Sequence, residues 1–129
     1  MLNVAAAIIE KNGKYLIAKR KAGSYRQGMW EFPGGKIEPG ETPEACLERE
    51  LMEELGIVTN VGEFIMENTY DYGDRVVRLL AYRVFYVSGE FQLNAHDELR
   101  WVEANEFSQF DFVEADLPFV QRLISINSA

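Results

Sequence analysis

A chain of 129 residues suits one domain, and a make-up of 47% hydrophobic, 12% aromatic and 26% charged residues sets aside disordered, collagenous and coiled-coil architectures. Thirteen basic against 21 acidic side chains leave a net charge of -8, a field that repels nucleic acid and anionic lipid, so a phosphate ligand requires a divalent cation between itself and the protein. One cysteine, Cys46, and one histidine, His96, exclude an intrachain disulfide and leave thiolate or imidazole metal sites little to draw on.

Val4–Ile9 is an apolar run too short for a membrane span or a signal-peptide core, which predicts a cytoplasmic protein with no membrane partner. No repeat or linker divides the sequence, and residues 1–129 read as a single domain. Val4–Ile9 and Tyr15–Ala18 flank Asn12-Gly13, a dipeptide suited to the positive φ angles of a type I′ turn, and together they predict an antiparallel hairpin. Lys21–Gly28 reads as a basic, polar loop, Met29–Phe32 as a short strand and Pro33-Gly34-Gly35 as a sharp turn. Thr42 can cap the first free N–H groups of a helix, Pro43 loses nothing at the first helical position, and Gly56 suits a left-handed C-cap, so a helix is predicted between them. Along it Leu47, Leu51 and Leu55 form an apolar stripe, while Glu50, Glu53 and Glu54, spaced i, i+3, i+4, share another face. Cys46 reads as a buried or half-buried thiol on this helix rather than a reactive one. Gly62–Met66 and Val76–Val87 read as strands joined by the polar turn Asp71–Asp74. Leu99–Val102 reads as a short strand, Glu103–Phe107 as a helical turn, and Leu117, Val120, Leu123 and Ile124 as the stripe of a final helix. This order predicts an α/β fold with a mixed sheet.

Three carboxylates at that helical spacing lie within about 5–6 Å of one another, close enough to hold one or two hard divalent cations through oxygen. A solvated acidic face is the plain alternative, since like-charged pairs on an exposed helix cost only about 0.2–0.5 kcal/mol each. The run from Gly35 to Ile57 favours the metal. Gly35, Glu41, Arg49, Glu50, Leu51, Glu53, Glu54, Gly56 and Ile57 fill, without a departure, the pattern Gly, five residues, Glu, seven residues, Arg-Glu, an aliphatic, any residue, Glu-Glu, any residue, Gly, an aliphatic. The segment strongly resembles the signature of the Nudix hydrolases.

That resemblance implies an α/β/α sandwich, a small nucleotide as partner, and Mg2+ as cofactor with Mn2+ as its substitute. It implies hydrolysis by water attacking a phosphorus, with the cations orienting the water and neutralising the leaving phosphate. Glu50, Glu53, Glu54 and the carbonyl of Gly34 become metal ligands by the same resemblance, with Arg49 and Glu41 orienting them for catalysis. The base comes either from the signature or from a later loop, whose expected position is occupied by His96-Asp97-Glu98. Glu98 is therefore the first candidate for base and additional metal ligand, and Glu53 the second. An exposed polar turn is the alternative for that tripeptide.

The segment Trp30–Glu38 resembles the MutT branch, whose members cleave nucleoside triphosphates to the monophosphate and pyrophosphate. The resemblance places Arg20 near the phosphates, and Tyr25, Glu31, Phe32, Pro33 and Gly34 around the bound nucleotide, where aromatic rings stack on a base. A purely core role is the alternative for the two aromatics. Arg75, ahead of Arg78, is the candidate for a base or sugar contact. Asp116, in Ala115-Asp116-Leu117-Pro118, falls where oxidised-guanine-specific members carry Asn. An ionised Asp only accepts hydrogen bonds, so it calls for a base edge bearing N–H groups, which cytosine, adenine and guanine all offer. The Ala-Asp-aliphatic-Pro form is similar to relatives that hydrolyse CTP and oxidised or methylated deoxynucleotides; a helix N-cap is the alternative role for Asp116.

The expected activity is magnesium-dependent hydrolysis of nucleoside triphosphates, modified ones included, in sanitation of the nucleotide pool by a monomer or weak homodimer that does not bind nucleic acid. Three alternatives stand beside it. An ADP-ribose or sugar-nucleotide pyrophosphatase would share the metal helix, yet the proline that many such relatives carry downstream of the signature is missing. A nucleotide sensor without catalysis is opposed by the intact Glu50, Glu53 and Glu54. An acidic interaction module predicts no magnesium-dependent response to nucleotide.

Overall fold

Successive side chains of the first strand turn to opposite faces of a sheet, and both faces are covered. In the computed structural model, which describes residues 1–128, β1 (Leu2–Lys11) sends Ala5, Ala7 and Ile9 into one apolar layer and Ala6 and Ile8 into another. Burial on both sides explains why this strand reads as a continuous apolar run rather than an alternating one. Asn12 and Gly13 take φ 53° and 77°, as a type I′ turn requires, and lead into β2 (Lys14–Arg20).

The remaining elements are β3 (Trp30–Glu31), β4 (Gly34–Lys36), α1 (Pro43–Leu55), β5 (Val58–Asp71), β6 (Val76–Ser88), β7 (His96–Val102), two short 3-10 segments at Ala104–Gln109 and Glu114–Asp116, and α2 (Leu117–Ile126). β1 runs parallel to β6 from Leu2 opposite Val77 to Ile9 opposite Val84, and β5 closes that side as an antiparallel edge. Its other side is shared. β2 pairs with β1 only at Glu10–Tyr15 and Lys11–Lys14, then leaves it to pair with β3 and β7, while β4 takes up β1 at Val4–Ala6. The divergence of β2 from β1 opens the space in which the site lies.

Helix α1 covers one face. Thr42 Oγ1 accepts the Ala45 N–H at 3.1 Å, Gly56 closes the helix at φ 70°, and Cys46, Leu47, Leu51 and Leu55 are fully buried against the Ala5 layer. Helix α2 covers the other, with Phe119, Val120 and Leu123 packed beside Ile8, Ile17 and Phe107. The result is the expected α/β/α sandwich on a mixed sheet. Among the described residues no helix is long and apolar enough to cross a membrane.

Three expected elements differ. β5 runs 14 residues, well beyond Gly62–Met66, because its polar ends gain backbone pairing from β6 that side-chain pattern does not signal. β7 begins at His96 rather than Leu99, its first residues held by β2. Pro33-Gly34-Gly35 is no sharp turn: the Pro33 carbonyl accepts the Ala7 N–H at 2.7 Å, and Gly34–Lys36 continues as a strand. Glycine is needed there for close approach, since a Cβ on Gly34 would stand 1.9 Å from the Ala5 carbonyl oxygen.

Candidate active site

Arg49 organises the acidic face of α1. Its guanidinium grips Glu41 with Nε at 2.7 Å and Nη2 at 2.9 Å, reaches Glu50 with Nη1 at 2.8 Å and Glu53 at 3.3 Å, and donates through Nη2 to the Lys36 carbonyl at 3.2 Å. This forked, planar grip needs arginine rather than lysine. The Arg49 hydrogen bonds, helped by the Glu38 backbone N–H, hold the Glu41 carboxyl down to about 2. Cys46 lies beneath, its thiol 3.4 Å from the carbonyls of Gly35 and Lys36, and burial, reinforced by the Glu41 charge, pushes it up to about 12. It is an inert buried thiol.

Glu54 is different. No donor among the described residues reaches its carboxyl, and burial, then the charges of Glu50 and Glu31, push it up to about 8 against the opposing pull of Arg20. Burial raises Glu50 as well, with Arg49 opposing. Among the described residues, no three His, Cys, Asp or Glu side chains already enclose a metal. The donor set nevertheless fits a hard divalent cation: half-buried carboxylates that repel one another, all with oxygen donors, gain most from a positive charge placed between them. A Cβ on Gly35 would lie 2.2 Å from the Glu50 carboxyl carbon, so that glycine keeps room for the carboxylate. The ladder also sets the Gly34 carbonyl. Ala7 and Pro33 share one hydrogen bond and Ile37 and Asn3 another, and strict antiparallel alternation then turns the Gly34 and Lys36 carbonyls away from β1. The Arg49 bond to Lys36 confirms that direction.

A cavity of about 360 Å³ adjoins this face, and Glu54, Arg20, Glu31, Phe32, Tyr25 and Asp116 all line it. Arg20 donates from Nη1 to Glu31 at 2.7 Å and from Nε to the Tyr25 carbonyl at 2.5 Å, while the second Glu31 oxygen meets His96 Nε2 at 2.9 Å. Tyr25 packs edge-on to Tyr72 with centroids 5.7 Å apart, and the Arg75 guanidinium sits 4.2 Å above the Tyr25 ring. Phe32 lines the cavity but is otherwise core, against Phe107 and Phe112. Pro33 contributes its carbonyl to β1 and is not part of the lining; Arg78 pairs with Glu67 on the surface.

Asp116 is only 3% exposed and accepts the Phe32 backbone N–H through Oδ2 at 2.8 Å. It makes no side-chain cap, so the capping alternative is overturned: the carboxyl turns across to Phe32, just past β3, rather than onto its own helix. Complete burial, with the Glu31 charge added, raises it well above the usual carboxylate range. Burial therefore works against the ionised, acceptor-only form of the carboxyl, while its one hydrogen bond among the described residues is one that it accepts.

Glu98 is not brought to this site. His96-Asp97-Glu98 starts β7 instead of forming a loop, Glu98 stands opposite Lys19, and its carboxylate is bound by Arg100 Nε at 2.5 Å on the strand surface, outside the cavity lining. Ala95 and His96 line the cavity in its place. Glu53 remains on the α1 face, largely exposed and held by the longer Arg49 contact.

Several contributors carried no signal of their own. Asn68 Nδ2 donates to the Ala115 carbonyl at 3.0 Å and the Ala115 N–H donates to Tyr72 Oη at 2.9 Å, pinning the backbone beside Asp116 from both sides. Arg26, at the left-handed φ of 55°, reaches Glu114 at 2.9 Å and so ties the Lys21–Gly28 loop to the same turn. His96 could have been found as a histidine opening an apolar strand; the others depend on contacts between distant segments.

With that geometry in place, the kinship of the chain is plain. The NUDIX domain family model matches residues 1–123, and the chain belongs to the Nudix family. It is a pyrophosphohydrolase of the MutT-like kind. A CTP pyrophosphohydrolase of Escherichia coli (strain K12) is 40% identical over 129 residues, covering 100% of this chain and 96% of that protein. The 8-oxo-dGTP diphosphatase of the same strain is 33% identical over 123 residues, covering 95% of each. Among solved structures, the solution structure of the E. coli ORF135 protein aligns with a TM-score of 0.87 at 39% identity, over 99% of this chain and 91% of that one.

Proposed function

We propose that the chain hydrolyses nucleoside triphosphates, oxidised or methylated ones among them, to the monophosphate and pyrophosphate with magnesium, and so cleans the cytoplasmic pool of free nucleotides. One observation carries the reading: the α1 carboxyl of Glu54, the Arg20 guanidinium and the buried carboxyl of Asp116 line a single cavity. A nucleotide has a phosphate chain at one end and a base at the other, and this cavity offers a cation site and a cation side chain together with a polar reader and an aromatic ring.

Glu50, Glu53, Glu54 and the Gly34 carbonyl would hold the magnesium, or manganese in its place, which supplies charge neutralisation on the phosphates and an acidified water. Arg49 and Glu41 fix the directions of Glu50 and Glu53. Glu53, the most exposed of the three and held only by the longer Arg49 contact, takes the proton of the attacking water; the surface position of Glu98, paired with Arg100, makes it the weaker candidate. Arg20 meets the phosphates, Tyr25 stacks on the base with Arg75 behind it, and Asp116 reads the base edge. Two relatives are named for CTP and for 8-oxo-dGTP, which sets the panel for the test.

Pyrophosphate release is to be measured from dCTP, CTP, 5-methyl-dCTP, 8-oxo-dGTP and the ordinary dNTPs, with magnesium, with manganese and with EDTA. Metal-dependent pyrophosphate from any triphosphate supports the reading and ranks the bases. ADP-ribose is to be assayed beside them by phosphate release after phosphatase treatment, and its cleavage with every triphosphate intact would replace the reading by a sugar-nucleotide activity on the same metal helix.

A further inference from the structure

We propose that His96 is a positioning residue for the phosphate end of the cavity, holding the Glu31 carboxylate, which in turn holds the Arg20 guanidinium ready for phosphate. This rests on the reading of Arg20 as the phosphate partner.

Three strands converge to make the chain of contacts. β2 pairs with β3 at Ala18–Glu31 and Lys19–Trp30 and with β7 at Lys19–Glu98 and Arg20–His96. Regular register would set Arg20 opposite Asp97. A shift between Lys19 and Arg20 sets it opposite His96 instead. Such a bulge re-aims side chains where a strand borders a site. Asp97, displaced by the shift, accepts the Ala22 N–H at 3.0 Å and anchors the start of the following loop.

Chemistry then fixes the orientation. The His96 side chain is 3% exposed, and its single polar contact among the described residues is Nε2 to Glu31 Oε2 at 2.9 Å. A carboxylate only accepts, so Nε2 carries the hydrogen, and Nδ1 is left buried without a partner. Burying an imidazole with one unmet nitrogen is unfavourable, and among the described residues Glu31 is the one partner that offsets it. Glu31, for its part, lies among the carboxyls of Asp116 and Glu54, and the bonds from His96 and Arg20 determine where its charge points. Arg20 spends Nε on the Tyr25 carbonyl and Nη1 on Glu31; among the described residues Nη2 has no partner and is left for a ligand.

The chain has one histidine, so its imidazole resonances are unambiguous. In wild-type protein, two-dimensional proton–nitrogen spectra of the ring should show the Nε2–H form, and Glu31→Ala should shift the Nε2 signal; a ring spectrum indifferent to Glu31→Ala overturns the proposal whatever the activity. His96→Leu should lower kcat/KM for the preferred triphosphate about tenfold, chiefly through KM, as misplaced binding groups do, with the melting behaviour recorded alongside. His96→Gln, whose amide can donate from nearly the same place, should recover most of that loss. In the Glu31→Ala background, His96→Leu should cost less than about twofold more, because its only route to Arg20 is already cut. Fully additive losses, or an unchanged KM in folded His96→Leu, overturn the proposal. Failure of wild-type protein to cleave any triphosphate overturns the substrate reading instead, and the ring spectra still decide whether His96 holds Glu31.

Discussion

Asp116 accepts the backbone N–H of Phe32 at 2.8 Å across 84 residues of sequence. The bond fixes the turn before α2 to the segment that leads into the glycines and the acidic helix, so the proposed base reader and the proposed metal ligands share one backbone reference. Asp116→Asn keeps an oxygen for the Phe32 N–H and should change the ranking of bases while leaving the metal requirement alone. It should also change how stability depends on pH. The carboxyl of Asp116 is raised in the folded protein, so its contribution is fully present below its ordinary value of 3.8 and is lost as pH rises through the folded value. Asparagine has no such loss. Urea unfolding of both proteins from pH 4 to 8 should show the variant gaining on wild type as pH rises, and a constant difference would remove the buried-acid description.

Glu54→Gln should fold and lose at least about 10²-fold in turnover, since even outer partners of a metal are worth about 10- to 100-fold. The same residue predicts a behaviour of metal-free protein. Glu54 is raised from 4.5 to about 8 in the fold, so in EDTA stability should decline as pH rises across that window. Glu54→Gln should flatten the decline, and magnesium should restore wild type at the alkaline end. Thermal melts at several pH values check both statements; identical pH slopes in the two proteins would exclude them.

The two glycines before the helix should fail differently. A Cβ on Gly34 meets the Ala5 carbonyl at 1.9 Å, backbone against backbone, so Gly34→Ala should part β4 from β1 and lower stability severely. The atoms nearest a Cβ on Gly35 all belong to the end of the Glu50 side chain, which can swing away, so Gly35→Ala should fold and lose activity. Comparing the melting temperature and turnover of each separates the cases.

Tyr72→Phe removes the acceptor of the Ala115 N–H and leaves that group buried and unmet, a loss of about 1–3 kcal/mol. The turn it steadies carries Asp116, so the variant should blur discrimination among bases with little effect on magnesium affinity. Unaltered base ranking would show that Asn68 alone suffices to hold the Ala115 peptide.

Local chemistry made α1 readable: Thr42, Pro43 and Gly56 mark its ends, and the leucine spacing its buried face. The Asn12-Gly13 hairpin was equally legible, as were both strands around it. The polar edge strand β5, the first residues of β7 and the pairing of β4 were not, because each is held by backbone bonds to residues far away in sequence. The candidate site divides along the same line. Glu50, Glu53, Glu54 and Arg49 announce themselves by spacing within one helix. The placing of His96 on the cavity and Glu98 outside its lining was not legible, because it goes with a register shift between Lys19 and Arg20, and spacing carries no trace of a bulge.

The parallel pairing of β1 with β6 has a consequence for how the protein comes into being. β1 finds its long partner only when Val77–Val84 is available, and the cavity further needs Asp116 to reach back to Phe32. Contacts of such separation close late, after a helix made of local signals can already form. The signals that start and stop α1 are thus complete well before the cavity beside it can close, and the proposed base reader Asp116 is in place only once the turn before α2 has docked.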